Sequence, residues 1–167
     1  QDALTDLRSL LKECHKNKID FIYTIAPGLD IRYADAKDTE SLKKKIHQLI
    51  KEDVKHFCIL FDDIPFAMSK EDEKRFTSFA KAQAHISNEL FRFIRKQVKG
   101  HFFFCPTDYC ARMAKPSVKA SQYLNELGQH LDTSIDIFWT GPEIVSEAIP
   151  SASIRELSKV LKRKPVI

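Results

Sequence analysis

Two adjacent carboxylates, Asp62 and Asp63, close the apolar stretch Phe57-Cys58-Ile59-Leu60-Phe61. A continuous apolar run of this length, bounded by polar residues, reads as a strand buried on both faces. Pro65 stops it, because proline has no N–H to give to a ladder. The pair therefore stands at the carboxyl end of a buried strand, where parallel α/β folds bind ligands and do chemistry.

Three chemistries fit the pair. In the first, an N-acetyl sugar supplies its own acetamido oxygen as nucleophile, and the enzyme adds two carboxyl groups. One protonates the leaving oxygen; the other, ionised, orients the acetamido N–H and steadies an oxazoline-like intermediate. Two close carboxylates cannot both ionise freely, so one is pushed up and the other held down, which yields an acid and an anion at one pH. In the second, the pair holds a divalent metal. No further acidic cluster sits at another strand end and no phosphate loop follows a strand, so no metal or other cofactor is expected. In the third, the pair only caps the next turn and stays solvated. The buried strand before it argues against that reading.

Other strand ends offer companions. Tyr109 follows Cys105-Pro106 closely and could turn its hydroxyl into the mouth, or lie on a surface loop. Trp139 could wall a sugar site or belong to the core, and Thr140 follows it. The six histidines, His15, His47, His56, His85, His101 and His130, show no triad or ligand spacing and read as structural or exposed.

Positioning such a pair takes a scaffold, and the hydrophobic periodicity gives one. A helix spans about 1–18, with Leu4, Leu7, Leu10, Leu11 and Cys14 on one stripe. A strand at 20–26 ends at Pro27-Gly28. Thr39 is expected to cap a helix to about Glu52. After the strand at 56–61, Ser69 and Asp72 resemble a capping box that opens one long helix to about Gln97, stopped by Gly100. Strands at 101–105 and 135–139 flank a helix at 121–131. Ser151 is expected to cap a last helix to about Arg163, and Pro165-Val166-Ile167 begins one more strand.

Strands alternating with helices imply right-handed crossovers and a parallel sheet. With only four glycines in 167 residues, a glycine-rich nucleotide fold is disfavoured. A (β/α)8 barrel is the better reading, but barrels run near ~250 residues. The expectation is α/β, about half of a (β/α)8 TIM barrel, as a piece of a larger catalytic domain.

Composition is that of a globular chain: 43% hydrophobic, 30% charged, net charge +4. No run of 18 apolar residues predicts a membrane span, and no signal-peptide pattern precedes the first helix. The lysines lie beside acids in helical segments, which reads as solvated faces and not a nucleic-acid surface. Cys14, Cys58, Cys105 and Cys110 make neither a disulfide framework nor a zinc-finger spacing, so reduced thiols and a cytosolic or nuclear home are expected.

Four stretches together carry a resemblance: Tyr23-Thr24-Ile25-Ala26-Pro27-Gly28-Leu29-Asp30, Leu60-Phe61-Asp62-Asp63-Ile64, Phe104-Cys105-Pro106-Thr107-Asp108-Tyr109-Cys110, and Trp139-Thr140-Gly141-Pro142. They lie at four successive strand ends, and the likeness runs through nearly the whole chain. It resembles the catalytic domain of glycoside hydrolase family 84. The resemblance implies a barrel that removes N-acetylglucosamine from Ser and Thr of O-GlcNAc-modified nuclear and cytoplasmic proteins, with retention and without metal, in a homodimeric full-length enzyme.

Carried over residue by residue, Asp62 would orient and polarise the acetamido group. Asp63 would be general acid and then general base. Tyr109 would hydrogen-bond the acetamido oxygen, and Cys105, Thr140 and Ile144 would line the pocket for the acetyl methyl and the sugar face. Ile64-Pro65-Phe66-Ala67 departs from the polar run associated with the animal enzymes. The resemblance also implies a glycine and a lysine on earlier elements, and a Trp-Asp-Asn segment, a further Asp and a helical stalk on later ones. The piece alone is therefore expected to show little hydrolysis. A reading from another class is a silent module that binds glycan or glycoprotein without cleaving it.

Overall fold

A computed structural model describes residues 2–62, 64 and 67–167. The chain runs α1 (Ala3–Lys16), β1 (Ile22–Ile25), α2 (Ala36–Lys51), β2 (His56–Leu60), α3 (Lys70–Phe76), α4 (Phe79–Arg95), β3 (Phe102–Cys105), α5 (Gln122–His130), β4 (Asp136–Ile137) and α6 (Ser151–Leu161). The strands form one parallel sheet in the order β1-β2-β3-β4. Sequential order with a helix in each crossover is the pattern of a barrel wall; a doubly wound sheet reverses its order at a switch point.

Side chains alternate along each strand. Phe57, Ile59 and Phe61 turn to one side with Phe102, Phe104, Ile135, Ile137 and Trp139, and all are buried. Ile46 and Leu49 of α2, Ile86, Leu90 and Ile94 of α4, Leu124 and Leu127 of α5, and Leu157 and Leu161 of α6 complete the same core. The opposite phase carries His56, Cys58 and Leu60 on β2, Phe103 and Cys105 on β3, and Phe138 beyond β4. Rings stack across this second face: His56 on His101 at 5.5 Å, and Phe103 on Phe138 at 5.0 Å.

The structure corrects several boundaries. The long helix expected from Ser69 to Gln97 is two helices. Thr77 takes a left-handed conformation (φ 63°) that ends α3, and the Ser78 side chain accepts from the Lys81 N–H to start α4. Phe76 and Phe79 fit one apolar stripe across the break, so periodicity alone does not reveal it. The cap of α2 is Asp35, not Thr39; Thr39 lies one turn inside, buried. Pro150 holds the N-cap position expected for Ser151, which is the first helical residue of α6. The strand expected at 135–139 is regular only at Asp136–Ile137, but Phe138 bridges Val166 in parallel, where a further strand was expected.

One glycine fixes a helix contact. A Cβ on Gly128 of α5 would meet the Val160 carbonyl oxygen of α6 at 2.1 Å. Alanine gains about 1 kcal/mol of helix propensity there. Driving two packed backbones apart costs about 1–3 kcal/mol or more, so the clash wins. Gly128→Ala in the full-length protein is expected to lower the thermal midpoint of this domain; an unchanged or raised midpoint in a calorimetric scan contradicts the packing.

Candidate active site

The even phase of β2 continues from Cys58 and Leu60 to Asp62 just past its end. Cys105 ends β3 in the same phase, and Thr140 follows Phe138. Strand alternation thus brings Asp62, Cys105 and Thr140 to one face and one end of the sheet. The Asp62 carboxylate also leaves an electrostatic mark. Burial pushes the Cys58 thiol up to about 12, with Cys105 and Asp62 adding to it. Burial likewise raises Cys105 to about 12, and Asp62 again contributes. Both thiols therefore stay protonated at neutral pH and line the site as apolar, unreactive groups. All four cysteines are free.

Asp63, the expected acid, lies outside the described residues, as do Pro65 and Phe66 of the divergent loop. Asp62, its neighbour, is half-buried.

Tyr109 is half-buried and held through its backbone. Its carbonyl accepts from the Thr140 N–H at 2.9 Å and from the Thr140 hydroxyl at 3.4 Å. The same hydroxyl lies 2.8 Å from the Glu143 carbonyl. Two more backbone bonds, Ala111 N–H to the Gly141 carbonyl and Arg112 N–H to the Pro142 carbonyl, zip the two strand-end loops together. Gly141 has φ +97°, a conformation open to glycine, and this turn lets its carbonyl face Ala111. So Tyr109 and Thr140 form one hydrogen-bonded rim beside the strand end at Cys105.

Ile144 directly follows Glu143, whose carbonyl takes the Thr140 hydroxyl. It sits on the loop after Pro142, 46% exposed, beside Val145 at 86%. Trp139 is core: it faces the helices at 3% exposure, and its backbone N–H donates to the Val166 carbonyl. Cavities of about 530 and about 510 Å3 open nearby. The first is lined by residues such as Pro27, Asp30, Arg32 and Asp38, the second by Met68, Phe79 and Tyr123. Neither is walled by Asp62, Cys105 or Thr140.

Sequence reasoning missed the polar layer behind the rim. Gln83 of α4 is fully buried; Tyr123 of α5 and Thr107 after β3 bond to it. The signal was a glutamine inside the apolar stripe of α4. Asp108, next to Thr107, is half-buried, and desolvation pushes its carboxyl above the ordinary range.

A sequence model of a family described as β-N-acetylglucosaminidase matches residues 1–167. The Rattus norvegicus protein named Protein O-GlcNAcase is 42% identical over 161 residues, which is 96% of this chain and 17% of that protein. Among solved structures, a Thermobaculum terrenum O-GlcNAc hydrolase mutant superposes with a TM-score of 0.89 at 30% identity, covering 98% of this chain and 34% of its own. The structure of CpGH84B gives 0.83 at 25% identity, covering 100% of this chain and 29% of its own. The chain thus spans about a sixth of its rat relative and about a third of these structures. The sheet is a segment of a (β/α)8 barrel wall, as the strand order implied. The resemblance read from the four strand ends and the match along all 167 residues agree: this chain belongs to the β-N-acetylglucosaminidase family, among the glycoside hydrolases.

Proposed function

We propose that the protein containing this chain hydrolyses β-linked N-acetylglucosamine from Ser and Thr of nuclear and cytoplasmic proteins, by a retaining reaction in which the substrate's acetamido group is the nucleophile. The observation that carries it is the convergence of Asp62, Cys105 and the Tyr109–Thr140 rim at one end of the parallel sheet. Asp62 accepts the acetamido N–H and makes the carbonyl oxygen a better nucleophile. That oxygen attacks the anomeric carbon as the glycosidic C–O bond breaks, and Asp63 gives its proton to the departing Ser or Thr oxygen. Tyr109 donates to the acetamido oxygen. Cys105, Thr140 and Ile144 shape the space for the methyl group and the sugar. Asp63, now a carboxylate, takes a proton from water, which opens the oxazoline at the anomeric carbon. Two inversions leave the β configuration.

The central piece of the barrel holds the reacting carboxylates, while flanking elements supply most of the sugar grip and pair two subunits. The isolated 167 residues are therefore inactive and the longer protein is not. Proton NMR of a β-N-acetylglucosaminide digest tests both points. The longer protein should release the β anomer first and the segment nothing. Initial release of the α anomer, or turnover by the segment, overturns the corresponding claim. A protein that binds the sugar and releases no product would be the silent glycan-binding module instead.

A further inference from the structure

The last rung between β2 and β3 is not an ordinary one. In a parallel ladder a residue bonds through its N–H and its C=O to two residues flanking its partner. Phe61 N–H donates to the Cys105 carbonyl at 3.0 Å, so the Phe61 carbonyl should receive the Thr107 N–H. It receives the Thr107 hydroxyl instead, at 2.7 Å. The Thr107 N–H is turned to the Tyr123 phenol oxygen at 2.9 Å. The Tyr123 hydroxyl donates to Gln83 Oε1 at 2.5 Å, and Gln83 Nε2 donates to Thr107 Oγ1 at 2.9 Å.

Each hydroxyl in this circuit takes one hydrogen and gives one, which fixes the orientation of the Gln83 amide. Gln83 is 0% exposed among Ala80, Ile86 and Leu90. An apolar residue would serve packing alone. A satisfied buried network instead pins a specific geometry. What it pins is the strand pair one residue before Asp62 and two residues before Tyr109. With a side chain interposed for a backbone N–H, the last registered pair of the β2–β3 ladder is Leu60 with Cys105, and the rung that would continue the ladder at the usual spacing of about 4.8 Å is replaced.

We propose that Thr107 is a positioning residue: its hydroxyl, oriented by Gln83 and Tyr123, sets the gap between Asp62 and the Cys105–Tyr109 rim into which the acetamido group fits. This rests on the hydrolase reading above. Thr107→Val keeps the shape but can neither accept from Gln83 nor donate to Phe61; Thr107→Ser keeps both bonds.

In the full-length protein, well below the unfolding midpoint of each variant, Thr107→Val should lose about 10- to 100-fold in kcat on an N-acetyl aryl glucosaminide, the scale of small misplacements at a reacting centre. KM should move little. Preference for N-acetyl over the bulkier N-propanoyl substrate should fall, and Thr107→Ser should restore both. Should Thr107→Val not fold, Tyr123→Phe, which removes the hydroxyl with both its hydrogen bonds and keeps the ring, is read the same way. A variant that melts lower yet keeps the parental kcat and acyl preference shows a purely structural network and overturns the proposal. Asp63→Asn separates the two failures. If it stalls turnover while Thr107→Val does not, only the positioning role falls; if the parental protein itself releases no sugar from the glucosaminide, the hydrolase reading falls.

Discussion

Asp63→Asn in the full-length protein is expected to lower kcat/KM on an O-GlcNAc peptide by about 10²- to 10⁴-fold, the range for a positioned general acid and base. The alkoxide of serine or threonine is a poor leaving group, so the first step needs its proton. An aryl glycoside with a strongly acidic phenol does not. On such a substrate the variant should form the oxazoline at near-parental rate and then stall, because no base remains to activate water. The expected signature is a burst of phenol followed by slow turnover. Azide needs no deprotonation, so it should accelerate the slow phase and give a β-glycosyl azide. The limb of the pH profile that reports the acid should flatten. Equal losses on both substrates, with no burst and no azide effect, would point to Asp63 as a structural residue. The overall chemistry would then need another acid. Asp108 is the first candidate, because it is half-buried near the rim and its carboxyl is raised by desolvation.

Much of this arrangement is legible from sequence because strands obey a period of two. Once Phe57–Phe61 is recognised as buried, Asp62 must continue the phase of Cys58 and Leu60. Cys105 and Thr140 follow by the same count on their own strands, and the corrections to strand length at 135–139 leave that count intact. Trp139 falls in the opposite phase for the same reason, which makes it core. What periodicity cannot give is where a residue's polar atoms go. Gln83 fits the apolar stripe of α4 by position, and only its partners 24 and 40 residues away explain it. The break at Thr77 is similarly hidden. Ser78 accepts from Lys81 and donates to Glu126, so the new helix start is partly a tertiary event. Ile144 matched by position in the resemblance, but loop residues follow no period, and its exposure had to be read from the structure.

Asp62→Asn separates charge from shape. Asparagine keeps an oxygen that can accept the acetamido N–H, so what is removed is the negative charge facing the oxazolinium. Preorganised electrostatic groups of this kind are worth about 10²–10³ in kcat. The loss should persist on aryl glycosides with acidic phenols, in contrast to Asp63→Asn, because it falls on the nucleophile and not on the leaving group. A neutral thiazoline mimic of the intermediate should bind more weakly to the variant wherever its ring nitrogen is protonated in the complex. The thiols supply a second readout that does not depend on turnover. Asp62 raises Cys58 and Cys105 by charge, and burial raises them more. Removing the carboxylate should therefore lower both, though burial keeps them above the ordinary thiol value of 9.0. Lower values mean more thiolate at a given pH, so alkylation of Cys105 by iodoacetamide should quicken at mildly alkaline pH. Faster labelling with impaired catalysis places the Asp62 charge between the thiols and the substrate. Catalysis lost with labelling unchanged would put that carboxylate elsewhere.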